Sequence, residues 1–336
     1  MIKILKYSFI FLVLFSSTSC EKILFEEELA SIDPFVNFNY LWEECDKKYA
    51  YFEVKNIDWD AVKEEYSAKL YKGMTQDSLF NVLGGMLTEL RDDHTNLFSE
   101  FNVSSFGVSY LGQDNFDWRI IVENYITQDH YRTGPFRHNF LDNKEIGYVR
   151  FPAFTGGVNG DNLDFILNRY IDTKGLIIDL RENGGGAVAD VFNLLSRFVS
   201  SETLVNFSRI KNGPGHDDFS QPLPVILKPS SRLIYTKKVA VLTDRGTYSA
   251  GSFTSLATKA IPNMVLIGDT TGGGLGLPNG GQLPNGWQYR FSITQALTLD
   301  KSPDFENGVP PDIRVLIDWS DLTKDEILER AISELQ

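Results

Sequence analysis

Two cysteines in 336 residues leave little room for sulfur chemistry. They are too few for a zinc cluster. Cys20 closes a run of small residues at the N-terminus, which leaves Cys45 without a partner and excludes an intramolecular disulfide. Cys45 lies in the helical-looking stretch WEECDKKY, where a packing role is expected. Positive charge is also scarce: 32 Lys and Arg face 45 Asp and Glu, for a formal charge of −13. Nucleic acid is thereby excluded as the main partner, because phosphate binding wants a basic face. Beyond the N-terminus no apolar run is long enough for a membrane helix, and there is no solenoid-type repeat or low-complexity tract. Histidines number only four, His94, His130, His138 and His216. Hydrophobic content of 42% and charged content of 23% nevertheless describe a globular chain. The length suffices for two domains, or one large domain with an appendage.

The N-terminal segment MIKILKYSFIFLVLFSSTSC carries two lysines, an apolar core from Phe9 to Phe15 and small residues before Cys20. This pattern predicts a secretory signal peptide over residues 1–19, the apolar core being too short to span a bilayer. Ser-Ser-Thr-Ser before the cysteine resembles a bacterial lipobox, with Ser17 in place of the usual Leu. Lipidation at Cys20 is expected, with residues 20–31 as a tether and the cell envelope as the location. Membrane attachment would run through that N-terminal lipid. The acidic FEEE soon after it resembles surface-export signals of Bacteroidetes, and periplasmic and external orientations both stay open.

Helical spacing follows over residues 32–95: Val36, Tyr40 and Leu41, then Val62, Tyr66 and Leu70, then Leu79, Val82, Leu83, Met86, Leu87 and Leu90. Asp58, Asp60, Thr75, Asp77 and Ser78 supply helix start signals. Residues 96–145 turn shorter and strand-like, as in FGVSYLG and FDWRIIVENYI, and predict a β-rich connector. From IGYVRFPAF onward strands and helices alternate over 146–318, which implies parallel strands with helical crossovers. Strands are expected at Leu176–Leu180, Val239–Thr243 and Met264–Ile267, with helices after Ala187 and Ser249. Asn-Gly turns beyond Thr270 predict hairpins, and an amphipathic helix is expected within 319–336.

Two strand-to-helix turns carry the chemistry. VAVLTDRGTYSAGSFTSLA presents the Ser249 hydroxyl and backbone N–H groups at a helix N-terminus, where developing negative charge is stabilised. GLIIDLRENGGGAVADVFNLL repeats the design with three glycines, and so with bare backbone donors. ENGGG lacks the Lys-Ser/Thr of a P-loop and the spacing of a dinucleotide fingerprint. A serine needs a base. All four histidines precede Ser249, which excludes the α/β-hydrolase order. His94 has the most informative surroundings, because RDDHT sets carboxylates beside an imidazole they can orient.

LRDDHT, GLIIDLRENGGG, DRGTYSAGS, IGDTTGGG and FENGVPPDIRV occur in the order seen in C-terminal-processing serine peptidases and the tricorn core protease. The helical segment LWEECDKKYAYFEVKNIDWDAVKEEY likewise resembles the domain preceding the core in tricorn-like bacterial members. The resemblance implies an α/β fold, with a crotonase/ClpP-like core of ββα units, an N-terminal helical subdomain and a β-rich connector. It implies Ser249 as nucleophile, His94 as base and no cofactor or metal. An oxyanion hole would combine the Ala250 N–H with that of Gly184 or Gly185, and Glu306 would match the glutamate supporting the histidine. Asp93, where tricorn has a serine, would orient the ring directly, or Thr95 would relay from Glu306; both stay open. The dyad lysine of the processing peptidases is absent, its place being Gly274. Ser252 replaces a glutamate common in relatives. The stretch between His94 and Gly147 is too short for a PDZ domain plus the connector. The implied activity is peptide hydrolysis on peptide or protein substrates. A scaffold that binds peptide or a hydrophobic ligand without hydrolysis is the alternative, and oligomeric state is open.

Overall fold

The first helix of the computed structural model, which describes residues 30–336, starts at an aspartate. The signal peptide expected over 1–19 and the lipidation site expected at Cys20 lie outside the described residues. Asp33 accepts the N–H groups of Phe35 and Val36, Pro34 takes the first helical position, and α1 runs Pro34–Lys48. Asp58 caps α2 (Trp59–Ser67) and Thr75 caps α3 (Gln76–Thr88) by the same side-chain device. Their apolar stripes close a buried cluster that includes Leu41, Cys45, Trp59, Leu83 and Leu87. The cluster is not made by this segment alone. Strands β10 (Pro278–Gln282) and β11 (Gln288–Ser292) form a late hairpin that adds Leu283, Trp287, Tyr289 and Phe291 to it. Strand β1 (Asn96–Phe98) pairs antiparallel with β11, so the front of the chain and the hairpin form one packed unit.

Over residues 96–145 the expected β-rich character holds for β1, for β2 (Tyr131–Thr133) and for β3 (Phe136–Leu141). It fails at FDWRIIVENYI. There Asp117 caps α4 (Trp118–Ile121), which continues as a π-helical turn over Val122–Ile126. Ile121, Val122 and Ile126 bury against the underside of the main sheet, and that burial overrides the β preference of their branched side chains.

The main sheet has the order β13-β9-β8-β5-β4-β3-β2. Its parallel part comprises β4 (Ile146–Arg150), β5 (Gly175–Asp179), β8 (Lys238–Thr243), β9 (Met264–Gly268) and β13 (Ile313–Arg314). Both faces are covered, so the central strands are apolar almost throughout. Alternation still sorts the side chains. Leu176, Ile178, Val239 and Val241 face one cluster with α5 (Gly160–Arg169), α6 (Val188–Leu195) and α7 (Ala250–Thr258). Ile177, Ala240 and Leu242 face the other, with α8 (Glu326–Leu335). A second sheet, β12-β6-β7, is built from β6 (Thr203–Ile210), β7 (Leu223–Leu227) and β12 (Thr294–Leu297) and stands beside α7. The result is a mixed α/β fold.

One buried ion cluster ties the end of β5 to α8. Arg181, with no exposed surface, donates to Asp179 and, at 2.7 Å, to Asp325, the N-cap of α8. None of the described helices is long and apolar enough to cross a membrane.

Candidate active site

Strand β8 delivers the chain into the turn Asp244–Ser249, and α7 begins at Ala250. Ser249 has φ +55° and ψ −118°, a region that side chains beyond glycine seldom enter. The turn is held from several sides. Ser249 N–H donates to the Gly273 carbonyl at 3.0 Å, Tyr248 N–H to Asn183 at 2.9 Å, and Gly272 N–H to Thr247 at 2.7 Å. Ser252 secures it from within the helix: its hydroxyl donates to the Thr247 carbonyl and bonds Thr271 Oγ1 at 2.9 Å.

The glycine turn leaves β5 and packs directly on this one. Gly185 has φ +96°, and a Cβ there would lie 2.6 Å from Ser249 Cβ and 2.8 Å from the Ala250 nitrogen. Only glycine fits such an approach. Of the two donors weighed from the sequence, Gly185 is already engaged, giving its N–H to Asn183 Oδ1 at 3.0 Å. Asn183 in turn donates from Nδ2 to the Phe151 carbonyl, so its amide sets the loop's shape. The Gly184 and Ala250 N–H groups have no partner among the described residues, and Gly184 is exposed.

His94 comes from the far end of the sequence, between α3 and β1. Its Nε2 lies 2.9 Å from Ser249 Oγ, and the ring is 7% exposed. Burial lowers its pKa below the ordinary histidine value, helped by the Arg290 charge and opposed by Asp92 and the Gly276 carbonyl. A neutral imidazole near pH 7 follows, the form that accepts a proton.

The orienting residues differ from both sequence expectations. Asp93 turns away from the ring and accepts the backbone N–H groups of Gly107 and Val108. Thr95 Oγ1 and His94 Nδ1 make no hydrogen bond with a described residue, so no relay through Thr95 is present. Glu306 is buried nearby but accepts the Leu275 N–H at 2.7 Å, with Lys55 Nζ 3.7 Å from its other oxygen. Burial and the Asp92 charge outweigh Lys55 and push the Glu306 carboxyl up to about 8.

The carboxylate under the histidine is Asp92, which the sequence reading passed over. It accepts the His94 backbone N–H at 2.8 Å, the Tyr248 hydroxyl at 2.9 Å and the Ser292 hydroxyl at 2.9 Å. Burial works against its charge, yet Lys55, His94 and these donors hold its pKa below the usual carboxylate range. RDDH offered two adjacent aspartates and no periodicity to choose between them. Lys55 and Tyr248 carried no signal at all. Gly274, where a dyad lysine would stand, has φ +70°, and a Cβ there would lie 2.2 Å from Tyr248 Cζ. The tyrosine ring occupies the space a lysine stem would need.

A cavity of about 160 Å³ opens beside Ser249 and Ala250. A roomier cleft of about 430 Å³ lies between α1 and the 211–214 segment, away from the nucleophile. Among the described residues no group of three or more His, Cys, Asp or Glu is placed to hold a metal ion.

A sequence model of Peptidase family S41 matches residues 145–315, and one of the tricorn protease C1 domain matches residues 34–88. The carboxy-terminal processing protease CtpA of Bacillus subtilis is 26% identical over 170 residues, covering 51% of this chain and 34% of CtpA. The nisin-resistance protein of Lactococcus lactis subsp. lactis is 28% identical over 188 residues, covering 49% of this chain and 55% of that protein. The chain thus spans between a third and just over half of these curated relatives. The crystal structure of a protein from Parabacteroides merdae, designated a candidate peptidase, superposes with a TM-score of 0.86 at 38% identity, over 91% of this chain and 97% of that one.

Proposed function

This chain belongs to Peptidase family S41, a family of serine-type peptidases, and we propose that it hydrolyses peptide bonds with Ser249 as nucleophile and His94 as base. The observation that carries the proposal is the 2.9 Å contact between His94 Nε2 and Ser249 Oγ. Nε2 takes the hydroxyl proton as Oγ bonds to the substrate carbonyl carbon. The carbonyl oxygen becomes an oxyanion held by the Ala250 and Gly184 N–H groups. Loss of one such donor typically costs about 3 kcal/mol of transition-state stabilisation. Imidazolium then protonates the departing amine, and water, deprotonated by the same nitrogen, releases the acyl group.

Asp92 is the positioning group in this scheme. It holds the backbone of His94 and stabilises the imidazolium through its charge, without touching Nδ1. Glu306 and Lys55 act one layer further out, on Asp92 and on the Gly274–Leu275 segment. The strand–turn–helix units β5–α6 and β8–α7 support a crotonase/ClpP-like reading of the core. The N-terminal signal and Cys20 support a lipid-anchored protein of the cell envelope, with residues 32–95 and 96–145 as elaborations in front of the core.

A fluorophosphonate probe tests the proposal, together with peptide hydrolysis. Wild type should label at Ser249, while Ser249→Ala and His94→Ala should lose both labelling and turnover with the fold retained. The lack of a carboxylate bonded to His94 Nδ1 among the described residues favours one other reading, a binding protein on this scaffold. Failure of the wild type to label would select it.

A further inference from the structure

The cavity beside Ser249 lies between α7 and the segment 274–277, and most of its wall is apolar, with Phe192, Val225, Phe253, Leu275 and Ala296. Asn206 breaks that pattern. It has no exposed surface, its Nδ2 donates to the Phe207 carbonyl at 2.8 Å, and its Oδ1 accepts nothing from any described residue. The bond from Nδ2 fixes the amide's orientation, because the flipped form would set two carbonyl oxygens against each other.

A break in strand register puts the amide there. The pairing of β6 with β7 shifts between Leu204 and Asn206. Val205 and Asn206 are both buried as a result, where a regular strand would send neighbours to opposite faces. Val205 joins the core cluster, and Asn206 is left to line the cavity. The polar neighbours Thr294 and Ser208 also line the cavity, and neither hydroxyl bonds Asn206 Oδ1. A buried acceptor is costly unless something pairs it. The cavity is the open space that Asn206 lines.

Resting on the peptidase reading, we propose that this cavity receives the side chain of the residue whose carbonyl Ser249 attacks, and that Asn206 Oδ1 selects an aromatic ring bearing a hydrogen-bond donor, tyrosine ahead of phenylalanine. Size argues for a single ring: an apolar cavity of about 150 Å³ takes up benzene, and this one measures about 160 Å³. A site built to accept a hydrogen bond discriminates against the analogue that leaves it unpaired.

Quenched-fluorescence peptides of one sequence, with that residue as Tyr, Phe, Leu or Lys, test the assignment, with cleavage sites mapped by mass spectrometry. Wild type should show kcat/KM for Tyr at least about tenfold above Phe, the worth of one buried hydrogen bond. Asn206→Leu should bring the two within about twofold while still cleaving the Phe peptide. Equal turnover of Tyr and Phe by the wild type would overturn the role of Asn206 and leave the peptidase reading intact. Cleavage of no peptide would remove the peptidase reading instead. The ring selection is then read by titrating Ser249→Ala with the same peptides, where a dissociation constant for Tyr no lower than for Phe would end it. The wild-type comparison stands even if Asn206→Leu does not fold.

Discussion

At the scale of single residues, burial displaces both His94 and Glu306 toward the neutral form, the first by a lowered pKa and the second by a raised one. Burial holds His94 neutral, so the acid limb of kcat/KM should inflect below about pH 6.5. Asp92 opposes that shift. Removing its charge with Asp92→Asn should move the limb to still lower pH and reduce kcat, because imidazolium loses its nearest counter-charge. A pH–rate profile of both proteins checks the pair. Glu306 titrates near 8 in the fold and near 4.3 in an open chain. The folded state therefore holds a proton that the unfolded state has released, and stability falls as pH rises between those values. Glu306→Gln removes the dependence. Its stability relative to wild type should rise across that window by an amount on the order of a few kcal/mol, level above it, and be read from urea midpoints at several pH values. His94 and Ser249 were legible because each sits in a short motif whose chemistry is local. Asp92 was not, since only the path of an irregular turn decides which of two adjacent carboxylates faces inward.

At the scale of elements, the site is two strand–turn–helix units pressed together at their turns. Gly185 is the contact point, and Gly185→Ala would drive a methyl group into Ser249 and force a positive φ on alanine. Labelling of Ser249 should be lost and the unfolding midpoint should fall, because the added methyl meets backbone atoms of the serine turn. The junction between β5 and its turn is anchored from behind by α8 through Arg181 and Asp325. Asp325→Ala leaves a buried guanidinium short of one partner and should cost about 3–5 kcal/mol in denaturant unfolding. Strands β5, β8 and β9 and the helices after Ala187 and Ser249 were readable from apolar runs and turn residues alone. α4 and the π-helical turn after it were not, because their Ile and Val pattern fits a strand locally and only contact with the sheet makes it helical.

At the scale of the molecule, the front helices and the hairpin at 278–292 share one core across most of the chain. No local pattern announces such a contact, which is why the helical segment read as a separate subdomain. Trp287 belongs to it, 4% exposed and edge-on to Phe80 and Phe101. Trp287→Ala should cost about 3–5 kcal/mol and also slow labelling of Ser249. The hairpin carries Ser292, which bonds Asp92, and β11, which pairs with the strand following His94. A purely structural tryptophan remote from the site would lower the midpoint and leave the labelling rate of the folded fraction unchanged. The pairing of β1 with β11 also sets a schedule for the newborn polypeptide. Until position 292 has left the ribosome, β1 has no partner strand and the Asp92 carboxylate lacks its Ser292 donor. A chain that ends before that point keeps both His94 and Ser249 but leaves the strand after the histidine unpaired.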